Sequence, residues 1–91
     1  MTTISKDQLL DIAAEFGTPL YVYDADNITA QYKRLTTAFA KTDTRFFYAC
    51  KALTNINILK HIKSIGCNID CSSINEVKLA LMAGFESKNV L

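Results

Sequence analysis

The alternation of short apolar runs with amphipathic stretches, which begins at Arg45, is the feature that most constrains the fold. The aromatic-rich run Arg45–Lys51 suits a buried strand, and Cys67–Cys71 and Asn89–Leu91 follow as further short strands. The order strand, helix, strand, helix, strand repeats about every 22 residues with short connections. This order is typical of right-handed βαβ units, and hence of a parallel sheet or a (β/α)8 barrel.

Two helices are predicted within this repeat. The first runs from about Asn55 to Ser64, with Gly66 as its stop signal. The second opens with a capping box at Ser73–Glu76 and continues to Gly84. Both carry apolar residues at helical spacing, so each should cover one face of the sheet.

Residues 1–44 are predicted to form a helix, a short strand and a connecting helix before the barrel segment, residues 45–91. A capping box at Ser5–Gln8 opens the first helix, and Gly17 stops it. Leu20–Tyr23 alternates aromatic and aliphatic residues as a strand does. Asp24 or Asp26 can cap the connecting helix, whose apolar stripe is Ile28, Tyr32, Leu35 and Phe39.

Two βα units cannot complete a barrel, which needs roughly 200–250 residues. We therefore expect the 91 residues to be the first part of a longer protein, inactive alone and poorly soluble or marginally folded because an apolar edge is exposed. A small autonomous three-layer domain is the alternative.

Composition excludes several classes of function. The formal net charge is +1 and the basic residues are scattered, so no nucleic-acid or membrane partner is expected. No signal peptide and no apolar run of roughly 18 residues is present, which favours a cytoplasmic protein. The three cysteines are expected to be reduced thiols. Cys67 and Cys71 are spaced like half of a zinc site, but without a second pair they are interpreted as packed apolar residues, and no metal is expected.

Lys51 and Asp70 are the candidates for chemistry, because each lies at or near the end of a predicted strand. The carboxyl ends of parallel strands meet at one mouth, so the two side chains should be neighbours there. A partly desolvated lysine amine can attack a carbonyl group, and a nearby carboxylate would stabilise a protonated imine. Spacing alone leaves two structural alternatives open, namely an ion pair between the two residues or a Lys51 side chain that simply reaches solvent.

Three separate segments, in the right order, resemble the ornithine/diaminopimelate/arginine decarboxylase family. Tyr48–Leu53, followed at fixed spacings by apolar residues and Gly66, is similar to the family's pyridoxal-phosphate attachment signature. Phe16–Asp24 resembles the entry segment of the diaminopimelate branch in particular. Ile69–Ser73, with Glu76 and the residues after it, resembles the second βα unit of the family.

The resemblance implies a pyridoxal 5'-phosphate enzyme of the alanine-racemase-like barrel type, with Lys51 as the Schiff-base lysine. Asp70 matches an aspartate beside the cofactor, with an electrostatic and orienting role. Glu76 matches a position near the site, but the capping box explains it as a structural residue. Leu53 stands where relatives often have asparagine, which puts local hydrogen bonding in doubt. The resemblance also implies that the strand Leu20–Tyr23 belongs to a second, β-rich domain, and that full-length protein is a homodimer with shared active sites.

The activity that the resemblance implies is decarboxylation of meso-2,6-diaminopimelate to L-lysine and carbon dioxide, the last step of lysine biosynthesis. One alternative is another enzyme of the same fold, either a decarboxylase of ornithine, arginine or carboxynorspermidine or an amino-acid racemase. The other alternative is a non-catalytic homologue that binds a partner.

Overall fold

The computed structural model of the chain describes residues 4–91. The chain divides into two compact units, Met1–Leu35 and Thr36–Leu91, and the boundary between them falls within the second helix. None of the helices in residues 4–91 is long and apolar enough to cross a membrane.

The first helix, α1 (Lys6–Phe16), begins and ends where its sequence signals predict. The Ser5 hydroxyl accepts a hydrogen bond from the Gln8 N–H at 3.1 Å, and the Gln8 side chain accepts one from the Ser5 N–H at 2.8 Å, so the capping box is formed. Gly17 ends the helix with a φ of 82°, which glycine adopts without steric cost, and its N–H donates to the carbonyl of Ala13.

Leu20–Tyr23, predicted as a strand, has no strand structure. A strand is held by ladder hydrogen bonds to a neighbour, and the described part of this unit contains no second strand to provide them. All four side chains are exposed, that of Tyr21 to 88%. The strand was predicted to pair within a second, β-rich domain, so it stays a prediction for the complete protein.

The second helix, α2 (Ala25–Ala38), is capped by Asp24, which settles the choice between Asp24 and Asp26. The Asp24 carboxylate accepts a hydrogen bond at 3.1 Å from the N–H three residues later. The helix ends one residue before Phe39, so the predicted helical stripe was one position too long. Phe39 lies beyond the helix and packs edge-on against Phe46, with ring centroids 5.8 Å apart.

The second unit is built on two parallel strands, β1 (Phe47–Ala49) and β2 (Asn68–Asp70). The register pairs the last residue of β1, Ala49, with the last residue of β2, Asp70, so the two strands end at the same edge. A helix connects them along the chain, as in a βαβ unit.

A third strand position lies beside β2, where the sequence predicts the next strand. Val90 forms a parallel bridge with Ile69. The Leu91 N–H donates to the Ile69 carbonyl at 2.9 Å, and the Cys71 N–H donates to the Leu91 carbonyl at 3.0 Å. These bonds continue the parallel order on the side of β2 away from β1.

β1 is shorter and less buried than the predicted strand Arg45–Lys51. The ladder with β2 covers three residues of each strand, so strand structure ends at Ala49. The chain then forms a single 3-10 turn, Cys50–Ala52. Because β1 lies at the edge of the sheet, its residues are half-buried or exposed and none is buried.

Each strand is followed by a helix, α3 (Ile56–Ser64) after β1 and α4 (Ile74–Met82) after β2. Asn55 caps α3, and its side-chain oxygen accepts hydrogen bonds from two N–H groups at 2.9 and 3.4 Å. Gly66, with a φ of 88°, follows α3 as predicted. α4 ends two residues before Gly84, which the prediction had included.

The core of the second unit contains buried residues of β2, α3 and α4, and the two helices contact each other. Ile69 is fully buried at the centre of β2, whereas its neighbours Asn68 and Asp70 are half-buried and exposed, which confirms the predicted alternation. The buried residues are Cys50, Leu59, Ile62, Cys67, Ile69, Ala80, Ala83 and Phe85. The polar side chains of β2 therefore lie on the face away from this core.

Candidate functional site

Lys51 and Asp70 lie at the same edge of the sheet, where both strands end. Asp70 pairs with Ala49, and Lys51 follows Ala49 by two residues. Adjacent strands are about 4.8 Å apart, so the backbones that carry the two candidates are near neighbours. The carboxyl edge of parallel strands is where α/β proteins place their reactive groups.

The 3-10 turn Cys50–Ala52 carries Lys51, so the lysine stands just beyond the strand and is not its last residue. Two hydrogen bonds close the turn: the Leu53 N–H donates to the Cys50 carbonyl at 3.2 Å, and the Tyr48 hydroxyl donates to the Leu53 carbonyl at 3.0 Å. Both bonds use backbone atoms of Leu53, so the turn forms with an apolar side chain at this position. Tyr48 was predicted to lie in the strand and in the signature run Tyr48–Leu53, but this hydrogen bond was missed.

The Lys51 side chain is exposed, whereas the sequence predicted an amine partly removed from water. The difference arises because β1 is an edge strand in the described residues, so no strand covers it on its free side. Across residues 4–91, no ion pair within 4.0 Å joins Lys51 to Asp70. The structural ion pair is therefore not formed, and the amine can meet a ligand at this edge.

Glu76 holds the connection between β2 and α4. The Glu76 N–H donates to the Ser73 hydroxyl at 3.2 Å, as the predicted capping box requires. The Glu76 carboxylate accepts from the N–H of Ser72 at 3.0 Å and from the Ser72 hydroxyl at 3.4 Å, in place of the Ser73 N–H. The contacts fit the structural role predicted for Glu76, with the reciprocal bond shifted by one residue.

Cys50 and Cys71 form a thiol cluster with Glu76 that sequence reasoning missed. Each cysteine directly follows the last residue of its strand, and those two residues are paired in the sheet, so the two cysteines are near neighbours. Burial, together with the nearby Cys71 and Glu76, raises the pKa of Cys50 from 9.0 to about 11. Burial, with the Glu76 charge, also raises the pKa of Cys71. Cys50 and Cys71 are 21 residues apart, as are the paired residues Ala49 and Asp70, so the register of the strands is what brings the two cysteines near each other.

Cys67 and Cys71, spaced like half of a metal site, lie immediately before and after β2. At about 3.3 Å per strand residue, this places their backbones roughly 13 Å apart. The Cys67 thiol donates to the Phe46 carbonyl at 3.6 Å. In the part of the chain that the structure describes, no group of three His, Cys, Asp or Glu side chains is arranged to hold a metal ion.

A cavity of about 250 Å³ opens at the end of the sheet opposite Lys51. Its walls include Gly66, Cys67 and Asn68, at the amino end of β2. The candidate residues stand at the carboxyl end of the strands, so this cavity is separate from their site.

Comparison with known proteins gives a consistent match over most of the chain. Residues 25–91 match the family described as pyridoxal-dependent decarboxylase, pyridoxal binding domain. The diaminopimelate decarboxylase of Methanothermobacter thermautotrophicus is 44% identical over 84 residues, and that of Deinococcus radiodurans is 42% identical over 82 residues. Each alignment covers 90% of this chain and 20% or 21% of the relative. The chain thus spans about one fifth of the length of these relatives.

A solved structure shows the same fold. The lysine/ornithine decarboxylase of Vibrio vulnificus, crystallised with putrescine, matches with a TM-score of 0.85 over 97% of this chain and 24% of its own. The sequences are 24% identical, so this likeness speaks for the fold alone. It confirms the predicted α/β class, with the first βα units of a decarboxylase barrel after a helical segment.

Proposed function

We propose that this chain, which belongs to the family of pyridoxal-dependent decarboxylases, provides the cofactor-anchoring lysine of a diaminopimelate decarboxylase. Lys51 is the residue that we assign to covalent attachment of pyridoxal 5'-phosphate. The observation that carries the proposal is the placement of Lys51 on a hydrogen-bonded turn at the carboxyl edge of two parallel strands.

The residues at this edge suit an aldehyde cofactor. A primary amine is the protein group that binds such a cofactor covalently, and the turn presents the Lys51 amine without an ion pair to Asp70 in the described residues. Asp70 ends the neighbouring strand and adds one negative charge at the same edge. A carboxylate there favours a positively charged nitrogen beside it.

Each residue has a separate part in the proposed chemistry. When bound, the cofactor supplies an electron sink for the bond that breaks as carbon dioxide leaves. Lys51 would hold the cofactor through its amine and would also hold a proton for transfer near the reacting carbon. Asp70 orients the charged groups around it, and Glu76 fixes the turn after β2 through Ser72.

The proposed substrate follows from the relatives at 44% and 42% identity, both named as diaminopimelate decarboxylases. The reaction converts meso-2,6-diaminopimelate to L-lysine and carbon dioxide. Because the chain spans about one fifth of those relatives, the activity belongs to a complete catalytic unit to which this chain contributes Lys51. We expect that unit to be a cytoplasmic homodimer with shared active sites, which binds an amino-acid substrate and neither nucleic acid nor membrane.

The proposal is tested with full-length protein loaded with pyridoxal 5'-phosphate and offered meso-2,6-diaminopimelate, ornithine or arginine. We expect lysine from the first substrate and no comparable formation of putrescine or agmatine. Lys51→Ala should abolish both lysine formation and retention of the cofactor. Lys60→Ala, at an exposed position on α3, is the matched control and should change neither. Preferred turnover of ornithine, or full activity of Lys51→Ala protein, would contradict the proposal.

A further inference from the structure

We propose that Cys50 and Cys71 form a redox-sensitive dithiol that closes to a disulfide beside the turn that carries Lys51. Neither thiol has a part in the decarboxylase chemistry proposed above. The proposal of a dithiol is therefore tested independently of that function.

The strand register brings the two cysteines together. Ala49 and Asp70 are the last pair of the ladder, and Cys50 and Cys71 are the residues that directly follow this pair, Cys50 on the 3-10 turn and Cys71 after β2. The paired strand ends that lead into the two cysteines are about 4.8 Å apart, and disulfides require a Cα separation of about 4.4–6.8 Å, so a short adjustment of the turn suffices to join the two sulfurs. The nearby Cys71 thiol contributes to the raised pKa of Cys50, as expected for side chains that lie close together.

Access to the pair is unequal. Cys50 is fully buried, with 0% of its surface exposed, whereas Cys71 is half-buried. A small oxidant can therefore reach Cys71 first, with Cys50 placed behind it as the resolving thiol. Cys67 lies at the other end of β2 and cannot take either part, which makes it the matched control.

A peroxide is the class of oxidant that suits this access. The Cys71 sulfur attacks one oxygen of hydrogen peroxide, the O–O bond breaks, and a sulfenic acid and one water are formed. The Cys50 sulfur then attacks the Cys71 sulfur, the S–S bond forms, the S–O bond breaks, and hydroxide leaves as water with the Cys50 proton. Two thiols and one peroxide thus give one disulfide and two waters, and the two sulfurs together lose the two electrons that the peroxide gains.

Charged groups near the pair control the rate of this reaction. Glu76 on α4 and Asp70 at the end of β2 both act on the thiols, and burial adds to their effect, so the thiolate form is disfavoured. Lys51, on the same turn as Cys50, is the nearest cation along the chain. Because the thiolate is the attacking species, disulfide formation should accelerate about tenfold for each pH unit gained below the pKa of Cys71.

The experiment treats full-length protein, freed of reductant, with hydrogen peroxide, then blocks remaining thiols and digests without reduction. Trypsin releases Phe46–Lys51, which contains Cys50, and additional cleavage before aspartate releases Asp70–Lys78, which contains Cys71 but not Cys67. We expect a disulfide to join these two peptides and the mass of the protein to fall by two hydrogen atoms. Dithiothreitol should separate the peptides again. The Cys67→Ser variant should give the same yield.

The Cys50→Ser variant distinguishes a dithiol from an isolated reactive thiol. Without the resolving sulfur, Cys71 should stop at sulfenic acid, which dimedone traps, and no joined peptide should form. Circular dichroism of the same samples checks that the variant is folded. Two results with wild-type protein would overturn the proposal. In the first, Cys71 accumulates as sulfenic or sulfinic acid; in the second, both thiols stay unmodified while peroxide oxidises exposed methionine.

Discussion

Tyr48→Phe tests whether one side-chain hydrogen bond holds the turn that carries Lys51. The substitution keeps the aromatic ring and removes only the hydroxyl that donates to the Leu53 carbonyl at 3.0 Å. A neutral, part-buried bond of this kind contributes about 0.5–1.5 kcal/mol of net stability. Leu53 is half-buried, so water can reach its carbonyl in the variant, and we expect a loss of about 1 kcal/mol in the free energy of unfolding.

Loss of the same hydrogen bond should also weaken binding of the cofactor. A free energy of about 1 kcal/mol corresponds to roughly a fivefold change in an equilibrium constant. If the bond keeps the turn in the conformation that presents Lys51, the Kd of pyridoxal 5'-phosphate should rise by up to about fivefold in Tyr48→Phe. Both measurements use full-length protein. The free energy of unfolding is measured by urea denaturation without cofactor, and the Kd is measured by absorbance titration with cofactor.

Tyr21→Phe is the matched control for this pair of measurements. The Tyr21 side chain is 88% exposed and lies in the other unit, so removal of its hydroxyl should change the unfolding free energy by less than about 0.5 kcal/mol. Tyr48→Phe protein with wild-type stability and wild-type cofactor affinity would refute the reasoning that this bond fixes the turn.

Three further predictions concern the stability of the second unit, each measured by unfolding of full-length protein. Leu59→Ala removes a fully buried side chain and should lower the free energy of unfolding by about 2–5 kcal/mol. Ile74 is 67% exposed, so Ile74→Ala should lower it far less. Equal losses in the two variants would contradict the assigned core. Asn55→Ala removes the α3 cap and should cost about 1 kcal/mol, which Asn55→Ser should largely restore if the cap is the cause. The Cys50 thiol, with its pKa raised from 9.0 to about 11, stabilises the fold fully below pH 9 and loses this contribution as the pH rises to 11. Across that interval, stability of wild-type protein should fall by up to about 2–3 kcal/mol more than that of Cys50→Ala, and parallel pH profiles would refute this.

Local signals in the sequence predicted the helix starts and the end of α1, whereas the predicted ends of α2 and α4 were one or two residues too long. The Ser5 capping box and the stop at Gly17 depend on residues within one helical turn of each other, so the sequence contains all their partners. The alternation around Ile69 likewise depends only on strand geometry and on one buried face. These features needed no knowledge of which segments meet in space.

The features that the sequence left open depend on partners distant in sequence. Leu20–Tyr23 has the composition of a strand but no neighbour in the described residues, and the length of β1 is set by its pairing with β2. The exposure of Lys51 follows from the edge position of β1, which no property of the segment itself determines. The proximity of Cys50 and Cys71 also depends on the register of the two strands that precede them.

Borohydride trapping tests the central claim most directly. Full-length protein with bound cofactor is reduced, digested with trypsin and analysed for a pyridoxyl group on lysine. Because modified Lys51 resists trypsin, we predict a pyridoxyl peptide Phe46–Lys60 in place of Phe46–Lys51. A pyridoxyl group on any other lysine, with Phe46–Lys51 released unmodified from active enzyme, would show that Lys51 is not the anchor.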